Sequence, residues 1–321
     1  VQAFRSAAVV VDGLEADQLD LKIRTNTLTD LKGVGPKTAA VIVQAHRGQV
    51  PDYLARLEQD LAELVPLADD VAEFRAALKG DLHVHSDWSD GGSPIREMAQ
   101  AAMALGHEYL ALTDHSPRLT VANGLTAQRL EQQLDVVAQL NEELAPFRIL
   151  TGIEVDINVD GSLDQTDELL GRLDVVVASV HSDLRADARS MTARMLTAVA
   201  NPHTDVLGHC TGRLVIGRRQ RNGTQRPRPE SQFDAEAVFA ACVEFGTAVE
   251  INSRPERLDP PRRLLSLAVE SGCAFAVDTD AHAPGQLDWQ GNGCERAVEC
   301  GVPVDRVINT WDADRLLTWT G

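Results

Sequence analysis

The sequence predicts an α/β protein, a distorted parallel (β/α)7 barrel one strand short of eight, behind a small all-helical domain. Three observations predict it. From residue 82 onward, apolar runs of strand length alternate with amphipathic runs of helix length. Polar residues, histidines above all, gather at the C-terminal ends of the apolar runs. Before about residue 75 the segment reads as mostly helical, and from Leu57 to Leu78 its apolar positions recur every three or four residues, as on one helical face. An open doubly wound sheet satisfies the same alternation and is the second architecture.

The helical domain is placed at residues 1–75 and the barrel at 80–321. Within the first, Gly33 and Gly35 predict a tight turn, Pro36 suits a first helical position, and Thr38 to Ile42 continue a helix. A glycine turn that opens a helix leaves backbone N–H groups able to hold a phosphate. Residues 24–50 carry Arg24, Lys32, Lys37 and Arg47 against Asp30 alone, a local excess of positive charge. The pattern resembles the helix-hairpin-helix motif, which grips the DNA backbone without reading sequence. Gly33, Gly35 and Lys37 are the expected backbone contacts; the plain alternative is a glycine turn between packed helices. Leu57 to Lys79 is acidic and rich in Ala and Leu, and Pro66 is expected to divide it into two helices.

Seven strands are read at 82–86, 109–114, 148–157, 174–181, 205–210, 247–252 and 275–280. Helices are read between them at 94–105, 127–144, 191–200, 235–245 and 262–269. Six successive βα repeats leading to a seventh strand favour the barrel. In a parallel barrel the C-terminal strand ends meet at one face. Those ends carry His83 and His85; Asp114 and His115; Glu154 and Asp156; His181; His209; Glu250 and Asn252; and Asp278, Asp280 and His282. Asp90 follows the first strand in a Ser/Gly turn. Side chains two apart on a strand share a face, so both imidazoles of His83-Val84-His85 point the same way. Of nine histidines, only His46, His107 and His203 lie away from strand ends. Imidazoles and carboxylates converging on one face suit divalent metals.

These residues resemble the PHP family, named for polymerase and histidinol phosphatase. The matching motifs are His83-x-His85 with Ser89-Asp90-Gly91, Thr113-Asp114-His115, Glu154, Ser179-Val180-His181, Gly208-His209 and Asp280-Ala281-His282. Gly152 to Ile157, Val177 to Ser182 and Leu207 to Arg213 are similar to the C-terminal PHP domain of bacterial family-X DNA polymerases. The resemblance implies a TIM-like barrel with three divalent ions, Zn, Mn or Fe. One would take His83, His85, Glu154 and Asp280. A second would share Glu154 and take His181 and His209. A third would take Asp90, His115 and His282. Asp90 stands where some relatives carry histidine, which favours a harder ion such as Mn²⁺ there. Glu154 and Asp280 are the expected catalytic carboxylates. Residues 1–75 run almost straight into the barrel and leave no room for a nucleotidyltransferase palm, so polymerase activity is not expected.

Three ions in one cavity suit phosphate-ester hydrolysis, with a water made nucleophilic between the two ions that Glu154 bridges. Arg213 and Arg254, close behind strand ends, are expected to bind substrate phosphate. Residues 212–229 hold Arg213, Arg218, Arg219, Arg221, Arg226 and Arg228 with no acid until Glu230, so this loop either guides a polyanion or is simply solvated. Against a nucleic-acid partner stands a net charge of −18, which requires locally basic surfaces. Five cysteines without CxxC spacing fit a reducing cytoplasm; Cys210, beside His209, reads as a buried strand residue. No apolar run is long enough to span a bilayer, and no signal peptide precedes the first structured stretch, so no membrane association is expected. The favoured activity is processing of DNA 3′ ends, as exonuclease or phosphatase. The alternatives are hydrolysis of a small phosphomonoester such as histidinol phosphate, and a non-enzymatic DNA-tethering module, which has no need of nine converging ligands.

Overall fold

The structure, a computed structural model, describes residues 2–62, 66–219 and 225–321 and divides into two compact units, Val1–Pro66 and Leu67–Gly321. The first holds helices α1 (Gln2–Asp12), α2 (Ala16–Arg24), α3 (Pro36–His46) and α4 (Asp52–Ala62). Its core is thin: Ala7, Leu28 and Val34 are buried, with Ile23, Ile42 and Val43 packed around them. Gly33 has φ +100°, a conformation that L side chains rarely adopt, so glycine is what lets the chain turn into α3. Pro36 opens that helix, and the buried Thr38 hydroxyl accepts from Gly35 N at 2.9 Å.

The second unit begins with α5 (Asp69–Ala77) and continues β1 (Gly80–Val84), α6 (Ile95–Ala104), β2 (Tyr109–Leu112), α7 (Ala127–Leu144), β3 (Arg148–Asp156) and α8 (Asp167–Leu170). Next come β4 (Val175–Ser179), α9 (Ala188–Val199), β5 (Val206–Leu207), β6 (Leu214–Arg219), β7 (Gln225–Arg228) and α10 (Ala235–Phe245). It ends with β8 (Ala248–Asn252), α11 (Arg262–Ser271), β9 (Phe275–Asp278), α12 (Gln290–Glu299) and α13 (Ala313–Thr320). The sequence groups α5 with the N-terminal helices. In the structure its Val71 and Phe74 are buried in the barrel's own core, so α5 belongs to the second unit. Helices α4 and α5 are separate, as Pro66 requires; residues 63–65 lie outside the described residues.

Seven strands pair in the order β1-β2-β3-β4-β5-β8-β9, each pairing parallel. The ring nearly closes, because Val84 bridges Ala281 and His85 N donates to Ala281 O at 2.8 Å. This closure decides against the open sheet. Strand parity splits the apolar residues into two layers. Tyr109, Ala111, Leu150, Val175, Val177, Ala248 and Ala276 form a core with Ile308 and Leu316 of the C-terminal segment. They share strand parity with His115, Glu154, His181, Glu250 and Asp280, so they lie beneath those residues. Residues of opposite parity, such as Ile153, Val176, Ala178 and Ile251, join a core that includes Met191, Met195, Phe239 and Leu265 of the helices. Burying each such side chain is worth about 1.5–3 kcal/mol.

The segment expected as a loop at 212–229 contains two strands. Strands β6 and β7 pair antiparallel as a separate hairpin at the C-terminal end of β5. Pro227 and the run of arginines hide it, since neither alternates as a strand should. Arg221 lies outside the described residues, which resume at Gln225.

Candidate metal centre

Each ligand-type side chain is delivered by a strand end. Strand β1 carries His83 and passes directly into His85, both fully buried, with ring centroids 5.1 Å apart. Asp90 sits in the turn closed by Gly91 N to Ser86 O at 2.9 Å. His115 follows β2 and bridges Glu154 on β3. His181 follows β4, and His209 follows β5 after Gly208. A Cβ on Gly208 would meet Ser179 Oγ at 2.2 Å, so glycine here lets β5 lie close enough to β4 to aim His209 inward. Asp280 and His282 follow β9. Asp280 has φ +53°, uncommon for a residue with a side chain and the kind of local strain that functional sites hold.

The arrangement centres on the buried carboxylate of Glu154. Its Oε1 lies 2.8 Å from His209 Nε2 and 3.2 Å from His181 Nε2. Its Oε2 lies 2.8 Å from His115 Nδ1, 3.4 Å from His83 Nε2 and 3.5 Å from His85 Nε2. Burial works to raise the Glu154 carboxyl, but His115, His181 and His83 together outweigh it and hold it well below the usual range. Asp280 is treated likewise: burial raises it, and Arg257 and Arg254 overcome that and keep it well below the usual range. Nearer the mouth, Asp90 Oδ1 lies 3.2 Å from His282 Nε2 and 3.5 Å from His115 Nε2.

The donor set fits divalent metal. Buried His83 Nε2, His85 Nδ1 and Nε2, and His181 Nε2 have no hydrogen-bond partner within the protein, a costly state that coordination would relieve. The far nitrogens are already tied: His83 Nδ1 to Glu250 Oε1 at 2.6 Å and His181 Nδ1 to Asp156 Oδ1 at 2.8 Å. A carboxylate only accepts, so each Nδ1 carries the proton and each Nε2 is turned toward Glu154, as metal-binding histidines require. Among the described residues, three groups bring their ligand atoms within 4.8 Å of one another: His85, Asp90, His115 and His282; His83, His85 and Asp280; and His115, Glu154 and His181. The sets implied by resemblance differ in three respects, the first being that Glu154 is not in the group of His83, His85 and Asp280. Here His85 also joins the group around Asp90, and His115 takes the place of His209 beside Glu154 and His181.

A cavity of about 580 Å³ opens over these residues, lined by Asp90, His115, His181, Asp280 and His282, by Arg228, Arg254 and Arg257, and by apolar residues of the loop after β2 and of strand β6. Arg254 Nη1 lies 3.3 Å from Asp280 Oδ1, and Arg257 Nε donates to Asp280 Oδ2 at 2.9 Å. Arg213 is placed differently. Its Nε donates to Arg257 O at 3.1 Å and its Nη2 to Leu258 O, so it fastens the loop that carries Arg254 and Arg257. Cys210 is buried as expected, but it lies in the turn after β5 and not in the strand; burial pushes its thiol well above the usual range, which does not suit a nucleophile. In the N-terminal unit Gly33, Gly35, Lys32 and Lys37 are all exposed.

Three residues escape the assignment made from sequence. Arg257 is one arginine among several in a loop and has no positional signal. Glu250 and Asp156 stand at strand ends and are visible as candidates. Nothing in their spacing tells a residue that would hold an ion from one that orients a histidine.

The PHP domain family model matches residues 81–254. The chain belongs to this family. Among its curated relatives, the DNA polymerase/3′-5′ exonuclease PolX of Bacillus subtilis is 42% identical over 232 residues, which are 72% of this chain and 39% of that one. This chain therefore spans well under half of that relative's length. A probable phosphatase of Acetivibrio thermocellus is 30% identical over 240 residues, 72% of this chain and 90% of the relative. A solved histidinol phosphate phosphatase of Lactococcus lactis, complexed with zinc, L-histidinol and phosphate, aligns with TM-score 0.48 and 20% identity over 69% of this chain and 92% of that one. No helix among the described residues is long and apolar enough to cross a membrane.

Proposed function

We propose that this PHP protein is a metal-dependent phosphoesterase that processes the 3′ ends of DNA, removing a terminal nucleotide or phosphate. The observation that carries the reading is one buried carboxylate, Glu154, faced by five imidazoles at 2.8–3.5 Å, beneath a cavity lined by three arginines, Arg228, Arg254 and Arg257. Three ions would be held by His83, His85, Glu154 and Asp280; by Glu154, His181 and His209, with His115 close by; and by Asp90, His115 and His282. Bound there, divalent zinc, manganese or iron would supply Lewis acidity and a water of lowered pKa. Glu154 and Asp280 would hold that chemistry in place at two strand ends. Arg254 and Arg257 would offset charge on the phosphoryl oxygens, with Arg213 fixing their loop.

Support for DNA comes from three directions. Gly33, Gly35 and Lys37 form a turn suited to a phosphate backbone, and Lys32 adds charge beside it. The β6–β7 hairpin brings Arg228 to the cavity wall and carries further arginines in its sequence. The Bacillus relative is named for 3′-5′ exonuclease activity. A second reading, a small-molecule phosphomonoesterase such as a histidinol-phosphate phosphatase, is supported by the Acetivibrio relative, of which the chain covers 90%.

The two are separated by loading the protein with Zn, Mn or Fe. Turnover of 3′-end-labelled oligonucleotides is then compared with that of histidinol phosphate and p-nitrophenyl phosphate. The expected result is a higher kcat/KM for DNA ends, lost on chelation. Turnover of the small esters alone, with no DNA retained at low salt, would overturn the DNA reading.

A further inference from the structure

We propose that two apolar lips at the cavity mouth, Leu119 to Ala122 and Leu214 to Ile216, hold the terminal nucleobase of the substrate while its phosphate reaches the metal-ligating floor. The inference rests on the proposed reading of the substrate as a DNA end and adds which part of that end is recognised. The lips follow β2 and β5, three steps apart around the barrel, and both line the cavity with Asp90, His115, His181, Asp280 and His282. Ala122 is buried, but the other apolar side chains of the lips reach the surface. Val121 is 91% exposed and Ile216 42%, beside half-buried Leu119 and Leu214.

Each lip is held by its backbone. Leu125 N donates to His115 O at 2.7 Å and Arg129 to Asn123 O at 2.7 Å, which pins the first loop. Val215 N donates to Glu256 O at 2.7 Å, and Arg228 Nε to Gly212 O at 2.6 Å, which pins the second. A mouth with an anion-binding floor and two fixed apolar lips calls for a ligand with a phosphate at one end and a flat apolar group at the other. At about 580 Å³ the cavity far exceeds a bare phosphate and falls in the range that encloses a small organic ligand. Arg228, on the second lip's hairpin and in the cavity wall, then meets the phosphate that follows the terminal nucleotide, which favours a nucleic-acid end over a free metabolite. Contact with the face of a base is tolerant of sequence, since every base has one.

The test uses two oligonucleotides with the same terminal phosphodiester, one ending in thymidine and one in a base-free tetrahydrofuran residue. They are assayed with the metal-loaded wild type, Val121→Ser and Ile216→Ser. The wild type is expected to favour the base-bearing end by about tenfold in kcat/KM. Each substitution should move that ratio toward one, mainly through KM, with metal content unchanged. A wild-type ratio of one, or a ratio that neither variant alters, overturns the proposal while leaving the DNA-end reading intact. Absence of any cleavage of either end, with small phosphomonoesters turned over, overturns both.

Discussion

Two buried carboxylates, at opposite ends of the barrel strands, have been given opposite characters. Glu154 lies toward the C-terminal end of β3, and Asp205 immediately precedes β5. Their relative exposures are 1% and 9%, so depth hardly separates them. Company does. Glu154 faces five imidazoles, whereas the Asp205 carboxylate is bonded to one backbone N–H, that of Val176 at 2.7 Å. Burial raises both. The histidines reverse it at Glu154, but one N–H does not at Asp205, which is pushed up to about 8. At the mouth the fold thus maintains a charge ready to meet a cation. At the base it keeps a carboxyl largely protonated at neutral pH.

Replacing Glu154 with Gln should break this contrast with the largest effect. Activity is expected to fall by about 10³-fold and bound metal to drop, with the far-ultraviolet circular dichroism unchanged. Surviving activity would refute the central place given to this carboxylate.

Asp205→Asn tests the other side. The folded value near 8 exceeds the unfolded value of 3.8. The protonated carboxyl's contribution is therefore fully present below about pH 4 and is lost as pH rises through about 8. Asn keeps the acceptor for Val176 N and does not titrate. The variant should gain on the wild type across that window by an amount on the order of a few kcal/mol, read from urea midpoints at several pH values. Parallel pH profiles would show that the aspartate is ionised in the fold.

The smallest of the three concerns Glu250, which supports the ligand histidines from below. It accepts from His83 Nδ1 and from His209 N, so it orients two strand ends at once. Glu250→Gln should weaken metal binding by about 10–100-fold, measured by competition with a chelating dye. Unchanged affinity would mean that the carboxylate serves packing alone.

Much of this was legible in the sequence, because apolar period and ligand position coincide in a parallel barrel. A strand buried on both faces reads as an apolar run, and its polar end marks the site. Thus helices 127–144 and 235–245 match α7 and α10 to the residue, and all seven strands lie within two residues of their expected starts. What was not legible depends on direction in space. Arg213 and Arg257 are indistinguishable as letters, yet one fastens a loop and the other faces Asp280. The β6–β7 hairpin lacks alternation and contains Pro227, so no strand signal marks it. Asp205 carries no sign of its unusual proton affinity, which arises from neighbours that only the folded chain supplies.

The bridge from Val84 to Ala281 makes the candidate centre a clasp. His83 and His85 come from the first barrel strand, and Asp280 and His282 from just past the last. These are the two edges of the sheet that would otherwise stand open. Joining them closes the longest loop in the barrel, so this seam carries the greatest loop-closure entropy. An ion held by residues on both sides would stabilise closure itself, with its binding free energy added to that of folding. A barrel with its seam undone would have neither a site nor the ion's support. In such a molecule the capacity to retain metal reports that the ring is shut.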